Sequence, residues 1–240
     1  MKVSKGVSLK ALTFRIRFFT AQFKDHLSKL VRRTYFIPPP SAVAGIFGAI
    51  LGLSRRDLMS QEIMAGAELR SIQGKIVNIA RLLKFKGFQP IPTVKESEEL
   101  YMPEYKFAIA SAQESLIYEG FKRLKDLDFE YDIFGGNDYH FVDFIGEPKL
   151  ADVLKSREGY GYCPQEDFER IEVEQKVAGM NPTIFPVTFL ANVNSRFVQV
   201  CGAKIIAKRE LDAVKDDESI IFVHKVKPFF VTQIGDKYER

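Results

Sequence analysis

The chain has 240 residues, 46% of them hydrophobic and 12% aromatic, which excludes a largely disordered polypeptide and allows a substantial buried core. Its longest apolar run, residues 42–53, is far shorter than the roughly 20 residues that span a bilayer. The N-terminus lacks the apolar stretch of a secretory signal. We therefore expect a cytoplasmic protein without a membrane segment, whose Cys163 and Cys201 are buried thiols in a reducing compartment.

The formal net charge of +4 conceals a strong asymmetry along the chain. Residues 1–90 contain 16 Lys and Arg against 4 Asp and Glu, which gives 16 − 4 = +12. Residues 91–240 contain the other 19 basic and 27 acidic residues, which gives 19 − 27 = −8. A segment as basic as the first attracts polyanions and gains free energy by releasing their counterions. Uneven charge on an ordinary soluble surface is the alternative explanation.

The first predicted element is a strand over residues 9–19. Its apolar side chains alternate with Arg15, Arg17 and Phe19, which is the period-two pattern of a half-buried strand. The face away from the core is therefore basic and carries an aromatic ring, as in a sheet that binds nucleic acid. An ordinary solvated strand face is the alternative.

Three consecutive prolines, Pro38 to Pro40, end a basic irregular stretch, because proline cannot continue a helix or a central strand. Proline is accepted where a helix begins, so we predict a helix over residues 41–53. Apolar residues recur in this helix at intervals of three and four, and several glycines give it an unusually small surface. A short helix over residues 55–65 and a strand region over residues 68–83 follow.

Residues 84–103 are polar and interrupted by prolines, which predicts a long loop or hairpin that projects between two strands. Residues 105–110 alternate as the next strand. Ser111 and Glu114 match a capping box, with serine at the N-cap and glutamate three residues later, at the start of a second amphipathic helix.

The predicted order of elements is β-α-β-excursion-β-α-β, and its last strand, residues 129–133, precedes a turn signal at Gly135-Gly136. This order predicts an α+β protein with a ferredoxin-like βαββαβ domain over residues 1–145, into which a thumb of residues 84–103 is inserted. The RNA-recognition motif (RRM) shares this arrangement, although the RNP1 sequence that characterises it is absent here.

Residues 146–240 are predicted to form a β-rich C-terminal extension. It begins with a short helix over residues 149–156. Strands are expected over residues 184–190, 197–208 and 220–231. We interpret this part as an addition to the first domain and not as an independent enzyme domain.

The proline-to-helix segment resembles the signature of a known family. Its sequence, PPPSAVAGIFGAILG over residues 38–52, is similar to the prolines, small hydroxyl residue and glycine-rich apolar helix of the family-five CRISPR-associated proteins, in the repeat-associated mysterious protein (RAMP) superfamily. The stretch FEYDIFGGND over residues 129–138 resembles the glycine turn that follows the second helix in that family. With the excursion between them, the two matches cover roughly residues 8–145, and the family's fold is ferredoxin-like.

The resemblance implies a non-catalytic RNA-binding subunit of Cascade, the type I CRISPR surveillance complex, which acts in antiviral defence. Family members hold the 5′ handle of the crRNA, and their thumb reaches towards the neighbouring backbone subunit and the RNA. The expected partners are therefore the crRNA, the backbone subunit and the large subunit, with target DNA as a further candidate within the complex. No cofactor and no metal are expected.

The residues themselves favour the same ligand. Single-stranded RNA binds to positive grooves that follow its phosphates and to flat rings that stack on its bases. Backbone amides at a helix N-terminus or in a glycine turn can also bind phosphate oxygens. The predicted RNA-binding residues are Arg15, Arg17, Lys24, His26, Lys29, Arg32, Arg33, Tyr35, Ser41, Gly45, Arg81, Lys84, Lys86, Gly135, Gly136 and Asn137.

Two alternatives remain open. Some relatives cleave precursor RNA without a metal through Tyr, Lys and His side chains, and His26, Lys29 and Tyr35 could form such a site here. A metal-independent endoribonuclease that processes CRISPR repeat RNA is therefore one alternative. The other is a protein-interaction module whose basic face meets an acidic partner without RNA.

Overall fold

The computed structural model describes residues 9–25, 31–173, 181–188 and 196–226. The strands in chain order are β1 (Lys10–Phe18), β2 (Thr20–Ala21), β3 (Phe23–Lys24), β4 (Thr34–Tyr35), β5 (Ile63–Ser71), β6 (Gly74–Lys86), β7 (Gln89–Tyr101), β8 (Glu104–Ser111), β9 (Val142–Ile145), β10 (Lys149–Pro164), β11 (Phe168–Glu172), β12 (Thr183–Thr188), β13 (Arg196–Lys215), β14 (Ile220–Phe222) and β15 (His224–Lys225). The helices are α1 (Pro40–Leu51), α2 (Arg55–Ser60) and α3 (Glu114–Asp126). The chain is thus a mixed α+β protein dominated by one large sheet.

Four antiparallel strands form the centre of the large sheet, in the order β10–β1–β8–β5. On one face of β1, the side chains of Leu12, Phe14, Ile16 and Phe18 are almost fully buried in a core that also receives α1 and α3. The alternation predicted for the first strand is therefore confirmed, and both helices contribute to the same core.

Helix α1 begins and ends within two residues of the predicted bounds. Pro39 is its N-cap and Pro40 its first residue, and the chain leaves the helix through Gly52 in the left-handed conformation, at φ +72°. Helix α3 crosses α1 at Gly120, where a Cβ atom would lie 2.3 Å from the ring of Phe47. The absence of a side chain at Gly120 therefore sets how closely the two helices pack.

The C-terminal strands extend the same sheet, because β10 pairs with both β1 and β13. A buried hydrogen-bond network ties these strands to the segment that precedes α1. Gln199 on β13 donates from Nε2 to the carbonyl of Ile37 at 3.2 Å and accepts at Oε1 from the amide of Phe36 at 3.2 Å. Tyr162 on β10 donates its hydroxyl to the same Ile37 carbonyl. The C-terminal strands thus fix the path of the chain into α1.

Two predicted elements differ from the structure beside β1. The helix predicted over residues 149–156 is the first half of β10, because its backbone pairs with β1 and then with β13 in spite of its helix-like apolar spacing. The strand predicted over residues 129–133 is irregular chain. The strands that pair with β1 on this side are β9 and β10.

The predicted capping box is wrong. Helix α3 begins at Glu114 with Gln113 as its N-cap, and no side chain caps it. The Ser111 hydroxyl instead accepts a hydrogen bond from the amide of Gln113 at 3.1 Å, within the turn before the helix. The predicted short second helix also ends early, at Ser60, because the chain is already in β5 at Ile63.

Cys163 and Cys201 are both free and buried, as predicted. Among the residues that the structure describes, no helix combines the length and the apolar character needed to cross a membrane.

Candidate nucleic-acid interface

A long two-stranded hairpin, formed by β6 and β7, connects β5 to β8. Its strands pair without interruption from Gly74 opposite Tyr101 to the tip, a length of about 40 Å at about 3.3 Å per residue. Gly87, at φ +64°, takes the first position of the two-residue turn, where such turns favour glycine. The predicted excursion is therefore a regular hairpin that begins at Gly74, and not a segment limited to residues 84–103.

The two faces of the hairpin differ in chemistry, because alternate residues of each strand share a face with their cross-strand partners. We call one of them the apolar hairpin face. It carries Val77, Ile79, Leu83, Phe85 and Val94, whose side chains are between 56% and 70% exposed. Arg81 lies among them, opposite Val94, so the row of exposed apolar side chains is interrupted by one cation. Exposed apolar side chains in such a number mark a surface that another molecule covers.

The basic residues predicted on this excursion lie along the hairpin. Arg81 is exposed beside its cross-strand partner Val94, and Lys86 is exposed at the end of β6. Lys84 pairs with Ile91 through the backbone, but its side chain is outside the described part of the structure. The hairpin thus presents positive charge well away from the main sheet.

The base of the hairpin is joined by backbone hydrogen bonds to the basic segment that precedes α1. The amide of Arg32 donates to the carbonyl of Glu96 at 2.8 Å, and the amide of Glu98 donates to the carbonyl of Arg32 at 2.9 Å. Lys24, on β3, and Arg33, ahead of β4, are both exposed next to this junction. Their charges and those of the hairpin therefore belong to one connected part of the molecule.

The aromatic rings beside this segment, including the predicted Tyr35, pack against the protein. Tyr35 is 9% exposed and donates its hydroxyl to Asp25 at 3.3 Å, and burial raises its pKa. Phe23 is buried, and Phe36 stacks on Phe185 with the ring centroids 4.9 Å apart. The sequence predicts that Tyr35 presents its ring to a base, but in the structure Tyr35 packs in the core.

Of the three residues in the endoribonuclease alternative, the structure describes only Tyr35. His26 and Lys29 lie outside the described residues, and the third member, Tyr35, is buried with its hydroxyl on Asp25. Within the described ranges of the chain, no group of three or more His, Cys, Asp and Glu side chains is arranged to hold a metal ion.

Arg15 and Arg17 lie on the open face of β1, as predicted, but both have acidic partners. The Nε atom of Arg17 is 2.5 Å from a carboxylate oxygen of Asp143, and the side chains of Arg15 and Arg17 approach Glu104 at 3.6 and 3.7 Å. The Arg17 guanidinium also lies over the ring of Phe144, 5.6 Å from its centroid. These pairings reduce the charge that the two arginines offer to phosphates.

The N-terminus of α1 offers fewer amides than the sequence suggested. Pro40 has no amide hydrogen, and the amides of Ala42 and Val43 both donate to the carbonyl of Pro39. Ser41 is exposed at this end of the helix. A phosphate could therefore contact Ser41, but not the full set of amides that a helix N-terminus usually provides.

Gly45 lies on the exposed side of α1. A Cβ atom at this position would meet none of the described atoms within 4 Å, so internal packing does not require glycine here. Because glycine costs about 1 kcal/mol of helix stability relative to alanine, its presence favours the close approach of a binding partner.

The turn at Gly135 and Gly136 is packed against the chain between β2 and β3. The amide of Gly135 donates to the carbonyl of His140 at 2.8 Å, and a Cβ atom at Gly136 would lie 2.0 Å from the carbonyl oxygen of Gln22. Asn137 donates from Nδ2 to the side chain of Gln22 at 3.0 Å. These residues therefore serve internal packing, and the Gly135 amide is not free for a phosphate as the sequence had suggested.

Two surface features were missed by sequence reasoning. The apolar hairpin face had a readable signal, since apolar residues alternate along β6, but only a strand region over residues 68–83 is predicted there. The exposed ring of Phe144 had no local signal. It lies opposite Arg17 only because β9 pairs with β1.

The fold and this surface define a class of protein: a mixed α+β, sheet-rich chain with a projecting hairpin and basic residues at its base. Residues 11–123 match the family described as "CRISPR-associated protein (Cas_Cas5)". The matched segment contains the proline-to-helix motif that carried the resemblance in the sequence. Over these residues the chain matches the family that its sequence resembles, and the predicted resemblance is confirmed.

Solved structures add a likeness of fold. A crystal structure described as that of a CRISPR protein from Archaeoglobus fulgidus has a TM-score of 0.51 at 9% identity, over 91% of this chain and 100% of that chain. A structure described as a CRISPR RNA-guided surveillance complex has a TM-score of 0.48 at 12% identity, over 84% of this chain and 91% of that chain. The first likeness indicates a shared fold. No curated protein matches the sequence.

Proposed function

We propose that this chain is the non-catalytic subunit of a type I CRISPR surveillance complex, Cascade, that binds the 5′ handle of the crRNA. The observation that carries the proposal is a group of exposed cations on the hairpin and at its base, here called the basic strip. It consists of Lys24 and Arg33 at the base and of Arg81 and Lys86 on the hairpin, where the alternation of β6 places Arg81 and Lys86 on opposite faces. The match to the family over residues 11–123 supports the identity of the ligand.

The strand order supports a ferredoxin-like, RRM-like core. Strand β8 lies between β1 and β5 and is antiparallel to both, while α1 connects β1 to β5. The fourth strand of the arrangement is then supplied by β9 and β10, which pair with the other side of β1 after α3. This order supports a βαββαβ unit, with the hairpin inserted between its second and third strands.

The apolar hairpin face supports a place within a larger assembly. Apolar side chains on a hairpin about 40 Å long are poorly accommodated in water, and a neighbouring protein would bury them. In the proposed complex that neighbour is the backbone subunit, and the RNA meets the cations of the basic strip, of which Arg81 lies among these apolar side chains. The large subunit, as a second neighbour, belongs to the same proposal.

The basic strip can be tested by combining Arg33→Ala, Arg81→Ala and Lys86→Ala in the purified chain. For single-stranded RNA, each cation–phosphate interaction that the substitutions remove should reduce the slope of log affinity against log salt by about 0.7. We expect fluorescence anisotropy with a labelled single-stranded RNA to show weaker binding and a shallower salt dependence for the triple variant.

The matched control is Lys155→Ala, which removes an exposed cation from β10. Lys155 lies beyond the end of β1 opposite to the hairpin, and its ion pair with Asp212 is a surface pair of small energetic weight. The RNA affinity of the Lys155→Ala variant and its salt slope should equal those of the unsubstituted chain. Equal slopes for the triple variant and the control would contradict the assignment of the basic strip.

Incubation of the purified chain with CRISPR repeat RNA in the presence of a chelator separates the proposal from the endoribonuclease alternative. A binding subunit leaves the RNA intact. Cleavage that His26→Ala abolishes would replace the proposal with the nuclease. Absence of RNA binding at low salt would instead favour the protein-interaction module.

A further inference from the structure

Three aromatic side chains stand exposed where the hairpin leaves the main sheet. Phe19, which follows β1, is 52% exposed, while Phe141 and Phe144 are 58% and 40% exposed. Strand pairing brings them together, because the amide of Phe19 donates to the carbonyl of Phe141 at 3.0 Å and Phe144 lies opposite Arg17. Residues far apart in the sequence therefore form one aromatic patch.

The three rings lie on the face of the sheet away from the helices. Phe18 is fully buried on the core side, so the alternation of the strand directs Arg17 and Phe19 to the other side. Phe144 shares that face through its pairing with Arg17, and Phe141 shares it through its bond to Phe19. The patch thus places three exposed rings on one face of the sheet, with the Arg17 guanidinium over the Phe144 ring and the Phe141 ring in an edge contact with Phe134.

The charges around the patch favour bases over phosphates as its ligand. Arg17 is paired with Asp143 and with Glu104, so its positive charge is balanced locally. Large rings are costly to leave in water, and every nucleobase offers a flat face on which a ring or a guanidinium can stack. A patch with exposed rings and balanced charge therefore suits the neutral parts of a single strand.

The patch also adjoins the hairpin. The amide of Met102, immediately after β7, donates to the carbonyl of Phe19 at 3.0 Å. An RNA strand that follows the cations of the hairpin to its base would therefore arrive beside Phe19. The geometry gives the strand two kinds of contact: positive side chains for its phosphates and rings for its bases.

We propose that Phe19, Phe141 and Phe144, together with Arg17, form a stacking platform for unpaired bases of the RNA held by the basic strip. The inference rests on the proposed function and names the part of the ligand that this second surface recognises. Because stacking releases no counterions, the platform supplies affinity that does not depend on salt, in contrast to the basic strip.

The test compares two double variants of the full chain. Phe19→Leu with Phe144→Leu keeps apolar side chains but removes two rings, whereas Phe19→Tyr with Phe144→Tyr keeps both rings. Binding is measured by anisotropy with a labelled oligoadenylate at several salt concentrations. We expect the leucine variant to bind on the order of ten-fold more weakly for each ring removed, with an unchanged salt slope, and the tyrosine variant to bind normally.

A second readout follows stacking directly and does not depend on how well the leucine variant folds. An oligoadenylate with 2-aminopurine at successive positions loses fluorescence when the analogue stacks on a ring. Ultraviolet crosslinking of the same RNA to the unsubstituted chain should yield peptides that contain Phe19 or Phe144. Crosslinks confined to other peptides would overturn the platform.

The outcomes separate the platform from the proposed function. RNA binding with a steep salt slope, but with equal affinity for the leucine and tyrosine variants, would overturn the platform and leave the basic strip in place. No RNA binding at low salt would overturn both. If the leucine variant bound RNA normally but no longer joined the other complex subunits, the patch would be a protein contact, and the proposal would be wrong.

Discussion

Gly136 and Gly45 are both glycines of the candidate site, and the structure gives them opposite environments. Gly136 has φ +114° and would place a Cβ atom 2.0 Å from the carbonyl oxygen of Gln22. Gln22 in turn donates its side-chain amide to Ser97 at 2.7 Å and to the carbonyl of Glu98 at 2.8 Å, both at the base of the hairpin. A change at Gly136 should therefore disturb the residue that anchors the hairpin.

We expect Gly136→Ala to lower the free energy of unfolding. The left-handed conformation alone costs an L-residue about 1–3 kcal/mol, and displacement of the Gln22 backbone adds to this cost. Thermal or urea unfolding measures the change. Gly45→Ala is the matched control: it lies in an α-helix with open space around it, so it should raise stability by about 0.5–1 kcal/mol. Similar changes in the two variants would contradict this account of the turn.

The element that carries the family motif depends on strands from the other end of the chain. The amide of Phe36 and the carbonyl of Ile37, just before α1, are both bound by the buried side chain of Gln199 on β13. Gln199 also donates to the hydroxyl of Tyr162 on β10. A proline-rich segment has few amides for backbone pairing, so side chains of the sheet supply its hydrogen bonds.

We expect Gln199→Leu to loosen the segment before α1. The substitution leaves the partly buried Phe36 amide without its partner, which costs about 1–3 kcal/mol. Hydrogen exchange at Phe36 should become faster while exchange within β1 changes little, as mass spectrometry of the corresponding peptides can measure. Tyr162→Phe serves as the comparison, because it removes a hydroxyl from the network but leaves the Phe36 bond intact. Unchanged exchange at Phe36 would contradict the role of Gln199.

At the scale of the whole molecule, a buried ion pair joins a central strand of the sheet to the chain after β13. Lys106 on β8 donates to Asp216, after β13, at 2.7 Å, and both side chains are about 3% exposed. Thr13 on β1 also donates to Asp216 at 2.7 Å. Burial tends to raise the pKa of Asp216, but these hydrogen bonds and those from the amides of Glu218 and Ser219 outweigh it and lower the pKa to about 2.

The lowered pKa predicts how this pair depends on pH. In the unfolded state the pKa of Asp216 is near the usual value of about 3.9, so the folded state favours its ionised form. Asp216 therefore adds to the free energy of unfolding above about pH 4. It is lost as the pH falls from about 4 to about 2. Unfolding measured across this range should show the unsubstituted chain losing its stability advantage over Asp216→Asn. Parallel pH profiles would disprove the contribution.

Removal of the cation tests the same pair at neutral pH. Lys106→Met leaves a buried carboxylate without its counter-charge, and we expect a loss of about 3–5 kcal/mol in the free energy of unfolding. Lys149→Met is the control, since Lys149 pairs with Asp217 and Glu218 at the surface and should cost at most about 1 kcal/mol. Equal losses would show that the buried pair has no special weight.

Prediction from sequence succeeded where the signal was local. The prolines fix where α1 starts, and the spacing of its apolar residues predicts the face that it buries. The alternation in β1 predicts its buried side in the same way. Residues 149–156 have an equally helical spacing, yet they form part of β10, because pairing with β1 and β13 outweighs local preference. The hairpin was placed correctly but too short, since its first strand resembles a buried one.

The sequence by itself determined the resemblance to the family, through the proline-to-helix motif, and the concentration of positive charge in the first ninety residues. Only the tertiary structure decided which of those charges and rings can meet a ligand. It buries Tyr35, pairs Arg17 with Asp143, and exposes Phe144 beside it. The physical reason is that burial and charge pairing depend on which strands lie side by side. In this chain those neighbours are more than a hundred residues apart.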